Sequence, residues 1–181
     1  MRYFIIGWLL VICTGCSVPA KQPTLHDFGR TLAGSTHQAK ATINVNAPTW
    51  LWDNRIRYRQ LFTSPSEIRF YGLDRWIAAP PELLEQYFAI SSSNLDYALL
   101  IRLQDFEQQF DSPDLARVVL RFSVDAYAVD DKQKLMTETF YLEQPTKTPD
   151  AAGAINGFTD LTRQAEQKIQ AWLTRLSNHR D

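Results

Sequence analysis

The chain has 181 residues, 45% of them hydrophobic and 22% charged, with a net charge of −1. A chain of this length makes one domain that buries roughly 70% of the surface it exposes when unfolded, so its core needs neither a disulfide nor a metal. There is no cationic excess to neutralise phosphates, which argues against nucleic acid as a partner.

Residues 1–15 read as a signal peptide. Arg2 supplies a positive start, and Phe4 to Ile12 is apolar, well short of the ~20 residues a spanning helix needs. Cys13-Thr14-Gly15-Cys16-Ser17 follows. The small residues before Cys16 resemble the cleavage site of bacterial lipoproteins, with Cys13 where leucine is usual. That resemblance implies cleavage before Cys16 and acylation, palmitate included, of its sulfur and its new amine. The alternative is an ordinary secretory signal that leaves Cys16 free. Cys13 and Cys16 are the only cysteines, so a chain cleaved and acylated there has no free thiol and no intramolecular disulfide. Thiol catalysis and cysteine-ligated zinc are thereby excluded. Loss of Arg2 leaves the side chains at −2.

Several acyl chains hold a protein stably where one binds only marginally. Residues 16–23 form the lipidated N-terminus and tether, and residues 24–181 the folded domain. The seven residues Ser17 to Pro23 reach at most ~25 Å when extended, which keeps the domain near the membrane. Ser17, not Asp, follows Cys16; by resemblance to Gram-negative lipoproteins this implies the outer membrane, on its periplasmic face.

Thr24 to Gly29 reads as a first strand and Ala41 to Val45 as a second, with Gly29 to Gln38 a loop between them. Thr49-Trp50-Leu51-Trp52 places two indoles beside a turn. Aromatic clusters usually serve cores, so the plainer reading packs one under the sheet and sets the other at its edge. The other reading is a contact surface for a partner or lipid headgroups.

Ile56 and Tyr58 alternate with Arg57 and Arg59, Ser64-Pro65-Ser66 turns the chain, and Ile68 and Phe70 alternate with Arg69 and Tyr71. The pattern predicts two strands, each with one apolar face. Arg55, Arg57 and Arg59 share a face, with Arg69 on the neighbouring strand and Arg75 close by. They form either a cationic surface for lipid phosphates or an acidic partner, or, more plainly, a solvated face balanced by acids or by aromatic packing of the arginine stems. Pro80-Pro81-Glu82 then opens a helix.

Ser91 to Asn94 leads out of that helix. Tyr97 to Phe106 is apolar on both sides and reads as a central strand, with Gln104 to Phe110 running beyond the sheet. Asp111 to Asp114 is a turn. Leu115 to Val129 carries Ala116, Val118, Leu120, Phe122, Val124, Ala126 and Ala128 on one face and Arg117, Arg121, Ser123 and Asp125 on the other. Asp130-Asp131 marks a hairpin, and Leu135 to Glu143 is the last strand. Thr148 caps a final helix with Pro149 and Asp150 in its first turn. Ile155, Phe158, Leu161, Ala165, Ile169, Trp172, Leu173 and Leu176 fall on its apolar face. Gly153 and Gly157 fall on the opposite, polar side, as a frayed first turn or a place for another subunit's backbone. The expected fold class is α+β: a single domain with a mostly antiparallel sheet and two helices packed on one face.

His26, His37 and His179 lack metal-site spacing, and no nucleophile elbow, P-loop or dinucleotide motif is present. The carboxylates fall at turns and solvent-facing strand positions. No catalytic residue, metal or cofactor is expected, and the protein is read as not an enzyme.

Ile56, Tyr58 and Arg59 on one strand, Tyr71 before Arg75-Trp76, and Pro80 before Leu83-Leu84, all behind a lipoprotein signal, resemble the auxiliary lipoproteins of ABC-type and MCE-type transport systems (the PqiC-like family). The resemblance covers nearly the whole mature chain. It implies a periplasmic accessory, anchored in the outer membrane, that binds an MCE-domain transport protein and helps lipid pass between membranes. It also implies a homo-oligomeric ring and structural roles for Arg59 and Arg75. The candidate contact residues are Trp50, Trp52, Arg55, Arg57, Gly153 and Gly157, with lipid on Cys16. Other readings remain: a structural or assembly lipoprotein, or a self-contained lipid carrier.

Overall fold

A computed structural model describes residues 21–29, 43–91, 97–129 and 132–178. Cys16, the signal peptide, His37, Asp130-Asp131 and His179 lie outside the described residues. The elements in order are β1 (Thr24–His26), β2 (Ile43–Asn46), a 3-10 turn (Thr49–Leu51), β3 (Arg55–Gln60), β4 (Arg69–Trp76), α1 (Pro80–Ser91), β5 (Tyr97–Ser112), β6 (Leu115–Ala128), β7 (Lys134–Pro145) and α2 (Ala151–Asn178). They form a single α+β domain with a seven-stranded sheet in the order β1-β4-β3-β5-β6-β7, and β2 also pairs with β5. The sheet is mixed and mostly antiparallel. Its long ladders, β5–β6 and β6–β7, are antiparallel. Parallel pairing is confined to the shorter β1–β4, β2–β5 and β3–β5 contacts.

The central position of β5 is as its two apolar faces predict. One side pairs with β6 along most of its length, and the other meets β2 at Leu99–Arg102, then β3 at Gln108–Phe110. The parallel β3–β5 contact needs a crossover, and α1 supplies it. Gln104 to Phe110 does not run beyond the sheet; β5 continues to Ser112. The reason is a β-bulge. Leu103 faces Phe122 and Asp105 faces Arg121, which leaves Gln104 as an extra residue. The bulge reverses parity, so the buried set changes from Tyr97, Leu99, Ile101 and Leu103 to Phe106, Gln108 and Phe110.

Both helices lie on one face: α2 covers β6 and β7, and α1 lies against β2 and meets α2. Val118, Leu120, Phe122, Val124 and Ala126 of β6 join Leu84, Phe88, Phe158, Leu161 and Trp172 in a single core cluster. Aromatic rings fill its middle. Phe106 stacks on Phe158 at 3.9 Å between centroids, and Trp76 meets Phe28 and Phe158 edge to face. Each such pair adds ~1 kcal/mol beyond the area it buries.

Two further expectations are corrected. β1 stops at His26, because the Asp27 carboxylate accepts the Gly29 amide and Gly29 turns at φ +69°. The N-cap of α2 is Asp150, not Thr148. Asp150 Oδ1 accepts the Gly153 amide at 2.8 Å, and the Thr148 hydroxyl donates to the same oxygen. These two bonds, Thr148 first, hold the Asp150 carboxyl below its usual range.

Candidate functional site

The exposed face of the sheet carries charge in matched rows. The Arg59 guanidinium grips both oxygens of Glu107 and also donates to the Pro65 carbonyl. Arg117 reaches Asp111 and Glu143, and Arg121 reaches Asp105. Asp125, wholly buried on this face, accepts from Arg102, Lys134 and Thr137 at 2.6–2.9 Å. The Arg102 bond, more than the others, holds its carboxyl far below the usual range. Opposite charges at cross-strand positions favour this register. Most of the face neutralises itself, as the plainer reading expected.

The five arginines singled out from the sequence do not form one surface. Register places Arg57 beside Phe70 and Arg55 beside Arg75, but Arg69 beside Tyr58, on the other face. Arg69 pairs with Glu67. Arg55 pairs with Asp53 and lies 3.7 Å over the Phe70 ring. That pair raises the Arg55 pKa and lowers that of Asp53. Arg57 is different. It is 6% exposed, its Nη1 donates to the Trp50 carbonyl at 3.0 Å, and its Nε is buried without a partner. Burial pushes its pKa down, and Glu107 pulls the other way. Guanidinium remains charged in any protein setting, so Arg57 is a desolvated cation.

Ile68 and Phe70, read as the apolar side of their strand, share this outward face with Arg57. Tyr71, read as polar, turns inward. Its hydroxyl donates to the Oε1 of fully buried Gln108 at 2.6 Å, and burial pushes its pKa up. The parity of β4 follows from its pairing with Arg57, which outranks the local apolar pattern.

Trp50 and Trp52 are 63% and 45% exposed, so neither packs under the sheet. A 3-10 turn has three residues per turn. It drives Leu51 into the core and leaves both indoles outside. The Trp52 indole donates to the Ala47 carbonyl at 3.1 Å. The alternation Trp-Leu-Trp around one aliphatic residue was the signal available for this. The indoles, with Arg55, Arg57, Ile68 and Phe70, line an open cleft of about 770 Å³. Trp50, Arg57 and Ile68 also border a second hollow of about 490 Å³.

Gly153 and Gly157 do not join this site. Both are buried, not on a polar side. A Cβ on Gly153 would lie 1.9 Å from the Thr148 carbonyl oxygen, and one on Gly157 would lie 2.7 Å from Val118 Cγ2. The start of α2 is enclosed on two sides, by β6 and by its own lead-in, which a helical wheel drawn on one apolar stripe omits. The close approach is made within the chain. His26 bonds Asp74 at 2.9 Å across β1 and β4. Among the described residues there is no metal-binding cluster and no helix long and apolar enough to cross a membrane.

No family model matches the chain, and no curated protein matches it. Solved structures do. A Xanthomonas campestris protein of the family model DUF330 superimposes with a TM-score of 0.66 at 17% identity, over 90% of this chain and 91% of its own. An uncharacterised protein follows with a TM-score of 0.61 at 13% identity, over 82% of this chain and 96% of its own. A Caulobacter crescentus protein provisionally named a lipoprotein covers 54% of this chain and 83% of its own at 14% identity, with a TM-score of 0.44. At these identities the first two establish a shared fold, and the third carries no argument.

Proposed function

We propose that this chain is a membrane-anchored envelope lipoprotein. In this reading it serves a transport system of the MCE/ABC type as a non-enzymatic accessory that docks the periplasmic MCE component at the outer membrane. Cys16 carries the anchor, residues 17–23 are the tether, and the domain is the docking body. The observation that carries the reading is the join of a lipoprotein-type cysteine to a domain that a tether of at most ~25 Å holds at the membrane. The domain's spare chemistry supports it. The face of ion pairs is self-neutralised, while the tryptophan cleft is open and its Arg57 donates to a backbone carbonyl.

The self-contained carrier reading is disfavoured by packing. The space between sheet and helices holds Phe28, Trp76, Phe106 and Phe158 in ring contact, leaving their positions no room for an acyl chain. The test is purification of the native protein from detergent-solubilised envelope. Co-purification of an MCE-domain protein, in a ring-sized species, is expected. Recovery with outer-membrane assembly machinery instead would favour the structural-lipoprotein reading and contradict this one.

A further inference from the structure

We infer that the β1–β4 edge, with the tryptophan cleft beside it, is the face that lies on the phospholipid surface. The inference rests on the anchored-lipoprotein reading and adds which side of the domain meets the membrane. Three observations converge on that edge.

The first is where the tether ends. It runs into β1, which among the described residues pairs only with β4, at the margin of the sheet. A tether this short holds the margin at the membrane, and the far margin, β7, is several strand widths away.

The second is what the margin exposes. Leu25 stands beside Arg75, and Leu73 and Ile77 flank Arg75 two positions either way along β4. All three apolar side chains are exposed. The Ile77 amide donates to the His26 carbonyl, which carries the edge past the end of β4. Ala78 and Ala79 come next, and they already line the cleft of Trp50, Trp52 and Ile68. Exposed leucine and isoleucine therefore continue into exposed indole without a break in the chain's layout. Indoles at such a boundary suit the headgroup layer, having an apolar body and one polar N–H.

The third is charge. Arg55, Arg57 and Arg75 share this face. The Nε of Arg57 and Arg75 is enclosed by the protein, so a lipid phosphate would meet their terminal nitrogens and the more exposed Arg55. A phosphate oxygen is a fitting acceptor for guanidinium. The domain as a whole has no cationic excess, so apolar insertion leads and the arginines fix the depth. Glu82 also lines the cleft, which sets a limit on how anionic a ligand can sit at that end.

The experiment uses the full processed protein, reconstituted into phosphatidylethanolamine–phosphatidylglycerol vesicles with or without brominated acyl chains. Of the four tryptophans after residue 15, Trp76 and Trp172 are buried and Trp50 and Trp52 are exposed. Brominated lipid is therefore expected to remove up to about half the emission. That quenching should vanish in Trp50→Ala/Trp52→Ala, and iodide should reach the indoles less well on vesicles than in detergent. Protein that floats with vesicles yet keeps iodide-accessible, bromine-insensitive indoles overturns this inference and leaves the anchor intact. Protein that does not float overturns the anchored reading and this inference with it.

Discussion

Arg57 and Arg59 are two positions apart on one strand face, and their energetics are opposite. Arg59 holds a nearly buried carboxylate, Glu107, with two bonds. Removing one partner strands the other, so Arg59→Met is expected to cost about 3 kcal/mol. Arg57 has no such carboxylate in hand. Replacing a buried charge with an apolar side chain of similar length is often neutral or stabilising, so Arg57→Met should change the unfolding midpoint little. Urea melts of the two variants check the contrast, and equal losses would contradict it. Asp125 adds a pH dependence. Its folded pKa is depressed, so its stabilisation is complete above the unfolded value of about 4 and drains as pH falls below it. Asp125→Asn should cost about 2 kcal/mol at neutral pH, and its melting temperature should converge on that of the unmodified chain as acid is added.

At the scale of elements, β6 and α2 were legible because one apolar face recurs along each of them. Two failures concern which way a strand's side chains face. In β4, pairing with β3 turned Phe70 outward and Tyr71 inward. In β5, one bulged residue, Gln104, switched the buried parity. Its alternation break was visible in the sequence, but it resembled an ending, not a bulge. Deleting Gln104 should restore regular pairing and leave Phe106, Gln108 and Phe110 facing inward, because Asp105 then follows Leu103 directly opposite Arg121. Circular dichroism should then show a retained cooperative melt; loss of that melt would contradict the assignment of Gln104 as the bulged residue. For α2, Gly157→Ala gains ~1 kcal/mol of helix propensity, but its Cβ would press within 2.7 Å of a fully buried valine. Overpacking of this kind costs typically 1–3 kcal/mol, so the net is destabilising. Gly153→Ala meets a backbone oxygen at 1.9 Å, which cannot rotate away, and should cost more.

For the whole molecule, the fold class was readable from the order of patterns: strands, a proline-opened helix, three strands and a long amphipathic helix. The site was half readable. Trp50, Trp52, Arg55 and Arg57 do meet at one cleft, while the two glycines answer to packing inside the chain. Exposure of the indoles depended on a 3-10 turn around Leu51, and the apolar margin of Leu25, Leu73 and Ile77 depended on the parallel pairing of β1 with β4. Neither pairing nor turn has a period that a single sequence displays. Together they give the molecule a polarity, with the entry to β1 and the apolar margin at one end of the sheet and β7 at the other.

That polarity depends on Cys16 being the anchored end, so the decisive measurement is the intact mass of the protein extracted from its own envelope. The account predicts a chain beginning at Cys16 and carrying acyl groups, with Cys16→Ser losing both the acyl mass and the membrane fraction. An unmodified chain with a free thiol, recovered in the soluble fraction, would contradict it.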